Sequence, residues 1–331
     1  MNQQLSLEIE SGEFQSGYIE HPPWHDQGFK LEGQTTSLEV IQAASLDWNV
    51  IKQPLFINTP FGLKQVPDKF VIMRQDFLEA GINRYFGIVS GSYTILQNSE
   101  AFAFFDDIVS EGQAVYESAG AVGDGERIWI LVKLPEIIQI LGDDICFKYL
   151  LFSNSHDGRS SVQVKFTPLR FFCSNMLTLA LSQGPTIRIK HTSNLQERMV
   201  QADKLLGLVQ DYYQEIEENF KAMTNVNMDD GKLDRYYRLI YPDPADLTNE
   251  KALARQKSNR VIAAHFYKNG SGNKNPRVAG TLWAAYNGIT EYVDHWDSGL
   301  SGKSRFTSIS FGSGYQIKAR AYRYAVEILT T

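Results

Sequence analysis

The chain has 331 residues, 43% of them hydrophobic and 12% aromatic, which is enough to build the core of one large domain and excludes global disorder. Its 32 basic and 38 acidic residues give a formal net charge of -6, which on its own argues against a nucleic-acid partner. Two cysteines are too few for a disulfide framework or a four-cysteine zinc site. No apolar run reaches the roughly 18 residues of a membrane span, and the start lacks the features of a signal peptide. We therefore expect a cytoplasmic protein without a membrane partner.

The first part of the chain, residues 1–80, is predicted to be an irregular segment packed on the core. Pro22 and Pro23 disfavour helix in the residues before them. A short helix is expected at 37–44, and strands are expected at 50–58 and 69–74 because β-branched residues are frequent there.

Residues 81–192 carry the clearest strand and turn signals and are predicted to form an α+β core. Hairpins with glycine in or near the turn alternate with stretches of helical spacing. The predicted hairpins span 85–96, 115–133 and 146–166, and the predicted helices span 100–111 and 169–181.

The C-terminal part, residues 193–331, is predicted to be helical, basic and one cooperative unit with the core. Its helices are expected at 194–224, 234–240, 249–267, 281–295 and 315–329. The expected fold class is α+β: an antiparallel, hairpin-built sheet with packed helices, followed by a mainly helical region.

The charges are distributed unevenly along the chain. Segments 158–196, 251–290 and 298–326 together hold 17 of the 32 basic residues and none of the 38 acidic ones, so the rest of the chain carries a net charge of -23. Three solvated faces that happen to lack acids are one interpretation. The other is that the three acid-free segments fold together into a positive surface for a polyanion, in which case the net charge of -6 no longer excludes nucleic acid.

Aromatic residues alternate with cations in these segments, and single-stranded nucleic acid is held by that combination. The sequence therefore predicts a nucleic-acid partner, single-stranded DNA above all, and a homo-oligomer, since such proteins commonly oligomerise. The residues expected to contact phosphates are Arg170, Lys190, His191, Arg277, Arg305, Lys318 and Arg320, and those expected to stack on bases are Phe171, Trp283, Phe311 and Tyr315.

No standard catalytic signature is present: the sequence has no P-loop, nucleophile elbow, HExxH motif or kinase set. On the predicted helix 281–295, helical spacing places Trp283, Asn287, Glu291 and Asp294 opposite the apolar arc, with His295 at the margin. Glu291, Asp294 and His295 could bind a divalent metal, although an exposed polar face is the simpler explanation of the pattern. No cofactor is expected beyond this possible metal.

Several short motifs occur in a fixed order over residues 20–330. They include Pro23-Trp24-His25, Ala44-Ser45-Leu46-Asp47-Trp48, Gly87-Ile88-Val89-Ser90, Phe166-Thr167-Pro168-Leu169-Arg170-Phe171-Phe172-Cys173-Ser174-Asn175, Lys190-His191-Thr192-Ser193-Asn194 and Phe311-Gly312-Ser313-Gly314. In these motifs the chain resembles the phage/plasmid-like proteins grouped as domain of unknown function 932. Two departures from that pattern are Met176, where a threonine is expected, and the Asp26-Gln27 pair before Gly28. The resemblance implies residence on phages, prophages or plasmids and implies no particular reaction.

Three hypotheses follow. The leading one is a non-enzymatic protein that binds single-stranded DNA in recombination, annealing or replication of a mobile element. The second is a metal-dependent enzyme acting on nucleic acid through Glu291, Asp294 and His295. The third is a phage protein-interaction module that does not bind nucleic acid; separation of the three acid-free segments in space would favour it.

Overall fold

The fold is α+β, as the sequence predicts: antiparallel sheets precede a C-terminal region that is helical. The computed structural model describes residues 29–31, 33, 36–103, 105–106, 109, 112, 114–170, 175–176, 186–192, 209–296 and 302–330. Within these ranges every helix is either too short or too polar to cross a lipid bilayer.

The larger sheet is antiparallel and is built around two long central strands, β6 and β7. Its strands follow the order β1-β5-β6-β7-β8-β11, and β9 pairs with both β7 and β10. The predicted hairpins at 115–133 and 146–166 are confirmed, because Ala119 faces Ile130 and Phe152 faces Val164 across neighbouring strands. The strands are β1 (Phe29–Lys30), β5 (Val115–Val122), β6 (Arg127–Leu141), β7 (Asp144–Ser155), β8 (Val162–Phe166), β9 (Leu169–Arg170), β10 (Asn175–Met176) and β11 (Thr186–Ile189).

A smaller three-stranded sheet is made of β2 (Val50–Thr59), β3 (Gly62–Arg74) and β4 (Gly87–Val89). β2 and β3 form one long hairpin, and β4 pairs only with the base of β3, at residues 70–72. The remainder of the hairpin extends beyond the sheet. Residues 50–74 are therefore more regular than the sequence indicates.

Helix starts follow from side-chain capping of backbone N–H groups that have no partner within the helix. Thr36 and Glu39 form a reciprocal capping box at the first helix, and the side chains of Asp229, Asn249 and Thr281 each accept a hydrogen bond from the first turn that follows. The helices are α1 (Ser37–Ala43), α2 (Gln75–Glu79), α3 (Asn98–Ala103), α4 (Val209–Thr224), α5 (Asp230–Ile240), α6 (Glu250–Asn269), α7 (Leu282–Glu291), α8 (Gly302–Phe311) and α9 (Ser313–Leu329).

The central helix of the C-terminal region is α7, and all of its residues are buried. The prediction that one face of this helix is polar and exposed to solvent is therefore wrong. Two of its polar side chains donate hydrogen bonds inside the protein: Trp283 Nε1 to the Asp144 carboxylate at 2.8 Å, and Asn287 Nδ2 to the carbonyl of Trp283 at 2.8 Å. Asn287 Oδ1 is buried without a hydrogen-bond partner among the described residues. A buried hydrogen bond also joins the helical region to the sheet: Tyr213 Oη, on α4, donates to the carbonyl of Tyr149, on β7, at 2.6 Å.

Two predicted elements differ from the structure. The predicted helix 169–181 begins instead as β9, which pairs with β10 through Arg170 and Asn175; an apolar run without strict periodicity does not distinguish strand from helix. The predicted hairpin 85–96 supplies only β4. Its second half is irregular because its backbone bonds elsewhere, with Thr94 N donating to the carbonyl of His191 at 3.2 Å.

Candidate nucleic-acid interface

A cluster of cations and aromatic rings lies where strand β8 meets helices α8 and α9. Lys165, on β8, is buried, and its ammonium group donates to the carbonyl of Ser310 at 2.8 Å. The same nitrogen lies 3.8 Å from the ring centre of Tyr315 and 4.9 Å from that of Phe311. Both rings are half-buried. These distances are typical of cation–π interactions, so the two rings offset part of the desolvation energy of the buried ammonium group.

Two arginines extend this cluster. The guanidinium of Arg127 lies 4.4 Å from the ring centre of Phe311 and donates to Ser160 Oγ at 2.7 Å. Arg188, on the edge strand β11, is exposed and sits opposite Gln163 of β8. We call Arg127, Lys165, Arg188, Phe311 and Tyr315 the cation–aromatic cluster.

The electrostatics of the cluster are set by burial and by like charges. Burial, together with the neighbouring Arg127, Arg188 and Lys318, lowers the pKa of Lys165 to about 7. Burial also lowers the pKa of Arg127, and Asp157 opposes that shift. Among the described residues, no carboxylate forms an ion pair with Arg127, Lys165 or Arg188. Although Asp157 acts on Arg127, the cations outnumber the acids here, and an anionic ligand would meet net positive charge.

The cluster is a surface rather than a pocket. The cavity beside Lys165 measures only about 10 Å³, room for roughly one water molecule. Ser310 Oγ, which faces this cavity region, is buried without a hydrogen-bond partner among the described residues. A ligand larger than water would therefore have to lie over the half-buried rings and beside Arg188.

Arg170, predicted to contact phosphate, is instead buried in an ion pair. Its Nε and Nη2 donate to the two carboxylate oxygens of Asp144 at 2.8 and 2.6 Å, and Nη2 also donates to the carbonyl of Gly272 at 2.9 Å. Trp283, predicted to stack on a base, is fully buried and donates to the same carboxylate. Both predictions are therefore wrong for the described conformation: the two side chains join β7 and β9 to α7.

His191 is also buried rather than available to a phosphate. Its ring stacks on Tyr93 with 4.8 Å between ring centres, and Nδ1 lies 3.0 Å from the carbonyl of Thr94. Burial lowers the pKa of His191 below its usual 6.5, so the ring is mainly neutral at pH 7. The neighbouring Lys190 is exposed, so of this pair the lysine is the one a polyanion could reach.

Lys318 is fully buried and forms an ion pair of 2.6 Å with Asp294, which is equally buried. Both predictions, a phosphate contact for Lys318 and a metal ligand in Asp294, are therefore wrong in this structure. Each group neutralises the other inside the helical region, where an unpaired charge would be costly.

The other two predicted metal ligands do not converge with Asp294. The Glu291 carboxylate accepts hydrogen bonds from the backbone and hydroxyl of Ser271 at 3.1 Å, and the carbonyl of His295 accepts from Arg305. In the described part of the chain, no three His, Cys, Asp or Glu side chains lie close enough together to hold a metal ion. The predicted metal set is thus corrected: its members belong to three separate contacts.

The remaining predicted residues are dispersed. Arg277 is exposed and lines an open groove of about 540 Å³ with Asp143. Arg305 and Arg320 are half-buried and donate to backbone carbonyls, Arg320 to that of Ile240 at 2.9 Å. Phe171 lies outside the described residues. Of the ten predicted positions that the structure describes, only Phe311 and Tyr315 enter the cation–aromatic cluster.

Comparison with protein-family models decides the family. The model described as Domain of unknown function (DUF932) matches residues 85–321, which is more than half of the chain. The chain belongs to this family. Comparisons with curated proteins and with solved structures gave no match.

In this family member, three residues of the cluster escaped the sequence prediction: Arg127, Lys165 and Arg188. Lys165 and Arg188 lie in the acid-free segment 158–196, and that segment was the signal that could have selected them. Nothing comparable marks Arg127, because its segment contains acids. Its contact with Phe311 joins residues 184 positions apart and depends on the tertiary structure.

Proposed function

We propose that this protein binds nucleic acid, single strands in preference to duplex, over the cation–aromatic cluster. The observation that carries the proposal is that Lys165 and Arg127 lie against the half-buried rings of Phe311 and Tyr315, with no paired carboxylate among the described residues. Rings of this kind stack on bases, while adjacent cations neutralise phosphates. The exposed Arg188 would be the direct phosphate contact.

The mutual contacts of the acid-free segments support this proposal over a pure protein-interaction module. Lys165 of the first segment meets Ser310 of the third, and Arg170 of the first meets Asn273 of the second. The second and third segments meet through Tyr286 and Tyr322, whose ring centres are 5.9 Å apart. The segments are therefore close in space, as the nucleic-acid hypothesis requires.

The biological setting belongs to the same proposal. We place the protein in recombination, annealing or replication of a phage, prophage or plasmid, acting in the host cytoplasm without chemistry of its own. The resemblance of the motifs to mobile-element proteins supports that setting, and the family description leaves the activity open.

The proposal is tested by measuring affinity for a labelled oligothymidylate of about 20 nucleotides at several salt concentrations. We expect tight binding at about 50 mM salt that weakens steeply by about 200 mM. Arg188→Ala should reduce the slope of log affinity against log salt by about 0.7, the value for one phosphate contact on a single strand. Arg235→Ala, which removes an exposed arginine on α5, is the matched control and should leave the slope unchanged.

A second variant in the same assay separates stacking from charge. Phe311→Leu keeps apolar volume beside Phe306 but removes the ring, so affinity should fall by about 5- to 150-fold, as expected for losing about 1–3 kcal/mol of stacking. The salt slope should not change. Absence of binding at about 50 mM salt, or equal effects of Arg188→Ala and Arg235→Ala, would refute the proposed interface.

The lowered pKa of Lys165 predicts a pH dependence of this binding. A pKa of about 7 means that the ammonium form grows as pH falls from 8 to 6, so oligonucleotide affinity should rise by up to about tenfold over that range. The unfolded chain has the usual pKa of 10.5, so the same group makes the folded state more stable as pH rises from about 7 towards 10.5. Lys165→Met should abolish the pH dependence of affinity, whereas the control Arg235→Ala should leave it unchanged. A pH ratio that survives in Lys165→Met would contradict this assignment.

A further inference from the structure

The outer part of the β2–β3 hairpin, residues 54–69, extends from the small sheet as an arm. Only β3 pairs with β2, and β4 pairs with β3 no further out than Phe70. Side chains on both faces of the ribbon are exposed or half-buried, none fully buried. A two-stranded ribbon with no packed face is marginally stable in water, so this arm needs a surface to pack against.

The tip of the arm is strongly apolar. Phe61 is 87% exposed and Leu63 73%, while Phe56 and Ile57 are each about half exposed. The cross-strand pairs place Phe56 opposite Gln65 and Ile57 opposite Lys64, so the apolar side chains point to both faces of the ribbon. Apolar patches of this kind on a protein surface usually mark protein contacts.

Two prolines on the arm disfavour its pairing with a strand of another chain. Pro54 lies on β2, whose outer edge is unpaired in the described structure, and Pro67 lies on β3. Neither proline can donate a ladder hydrogen bond, and proline on an edge strand blocks pairing with another chain. The arm is therefore suited to docking through its side chains.

A complementary patch lies on α2 and the loop that follows it. Leu78, Ile82 and Tyr85 are exposed there, by 48%, 40% and 59%. Glu79 on the same helix forms no ion pair with any described residue, and on the arm the same holds for Lys64 and Lys69. Glu79 accepts a hydrogen bond from Gln75 Nε2 at 2.8 Å, and on the arm the two lysines outnumber the exposed acid Asp68. Both surfaces are thus apolar, and their net charges have opposite sign. We call Leu78, Glu79, Ile82 and Tyr85 the α2 patch.

The arm cannot reach the α2 patch of its own chain. The tip ends at Gly62, and α2 begins at Gln75, directly after the base of β3. The thirteen residues of β3 separate them, a span of at most roughly 40 Å at 3.3 Å per residue, with one register shift opposite Pro54 and Phe56. Tip and patch lie at opposite ends of the hairpin, so contact between them requires two molecules.

We propose that the arm tip of one copy of this chain docks on the α2 patch of a second copy. Tip and patch are different surfaces, so the contact is heterologous, and each copy that offers its arm leaves its own patch free for another. Repetition of this contact produces a closed ring or an open filament rather than an isologous dimer. The proposal stands independently of the nucleic-acid interface, which lies on other residues.

The test is the mass of the full chain in solution by light scattering after size exclusion. The wild type should run at a multiple of 37.5 kDa, and Phe61→Asp or Ile82→Asp should each run at 37.5 kDa. Both positions are solvent-exposed, so both variants should keep the wild-type circular dichroism spectrum. Val261→Asp, at an exposed apolar position on α6, is the matched control and should keep the wild-type mass.

Mixing the two variants gives the decisive result. Phe61→Asp keeps an intact patch and Ile82→Asp keeps an intact arm, so an equimolar mixture should form one contact and run at twice 37.5 kDa.

Lys64→Glu should weaken the assembly, and adding Glu79→Lys in the same chain should restore it. A monomeric wild type, or variants that keep the wild-type mass, would overturn the proposal. So would loss of oligonucleotide or anionic-vesicle binding in Phe61→Asp with the mass unchanged, since the occupant of the arm would then be that ligand.

Discussion

Asp144→Asn should lower the free energy of unfolding by about 3–5 kcal/mol, the usual result of removing one partner of a buried ion pair. The carboxylate accepts hydrogen bonds from both Arg170 and Trp283, and the side chains of Asp144 and Arg170 are each only 1% exposed. Without the negative charge, the guanidinium is left buried and uncompensated. Urea unfolding followed by tryptophan fluorescence measures the loss.

The neighbouring residue provides the control for this prediction. Asp143 is exposed, and Asp143→Asn should change the free energy of unfolding by less than about 0.5 kcal/mol. The double variant Asp144→Leu/Arg170→Met removes both charges and should recover part of the stability, because the buried Trp283 Nε1 still loses its acceptor. If Asp144→Asn left stability unchanged but weakened oligonucleotide binding, Arg170 would be a ligand contact after all.

Lys318→Met should destabilise the protein by a similar amount, about 3–5 kcal/mol, because it removes the ammonium group that faces the buried Asp294 carboxylate. Burial lowers the pKa of Lys318 and the adjacent Asp294 raises it, so the ammonium form depends on this carboxylate. Asp294→Asn should have the same effect with the opposite uncompensated charge. Lys318→Met, Asp294→Asn and the double variant Lys318→Met/Asp294→Asn form a double-mutant cycle with the wild type, which gives the coupling energy directly.

The same helix supplies a control for the second prediction. Arg323 on α9 is exposed and lies 3.8 Å from Glu327, a surface pair of the kind that contributes little to stability. Arg323→Met should therefore unfold at nearly the same urea concentration as the wild type. Additive losses in the double-mutant cycle would show that Lys318 and Asp294 do not act as a pair.

The two ion pairs show what the distribution of charges along the sequence reveals about the protein and what it misses. The acids that neutralise Arg170 and Lys318 are Asp144 and Asp294, which lie just outside the acid-free segments. A count along the sequence registers the two cations as unbalanced, because their partners are 26 and 24 residues away. The acid-free segments do contact one another, but two of their cations are neutralised by acidic side chains inside the core.

The α7 helix shows the corresponding limit of helical periodicity. Spacing correctly predicts a helix and its apolar arc, although Thr281, the first residue of the predicted helix, is its N-cap. Periodicity also assigns Trp283 and Asp294 to the opposite side, and it is silent on what covers that side. Strand β7 and helix α9 cover it, and they supply Asp144 and Lys318 as the polar partners.

The sequence by itself determined the α+β class, the hairpins β5–β6 and β7–β8, and most C-terminal helix positions, because these depend on turn residues, caps and periodicity within short stretches of chain. Only the tertiary structure decided which cations form buried ion pairs and which lie beside the rings of Phe311 and Tyr315. A side chain's burial and its partner are set by contacts between residues far apart in sequence, such as Lys165 with Ser310 and Arg127 with Phe311. Composition records the number of charges, whereas the fold determines where each one meets its counter-ion.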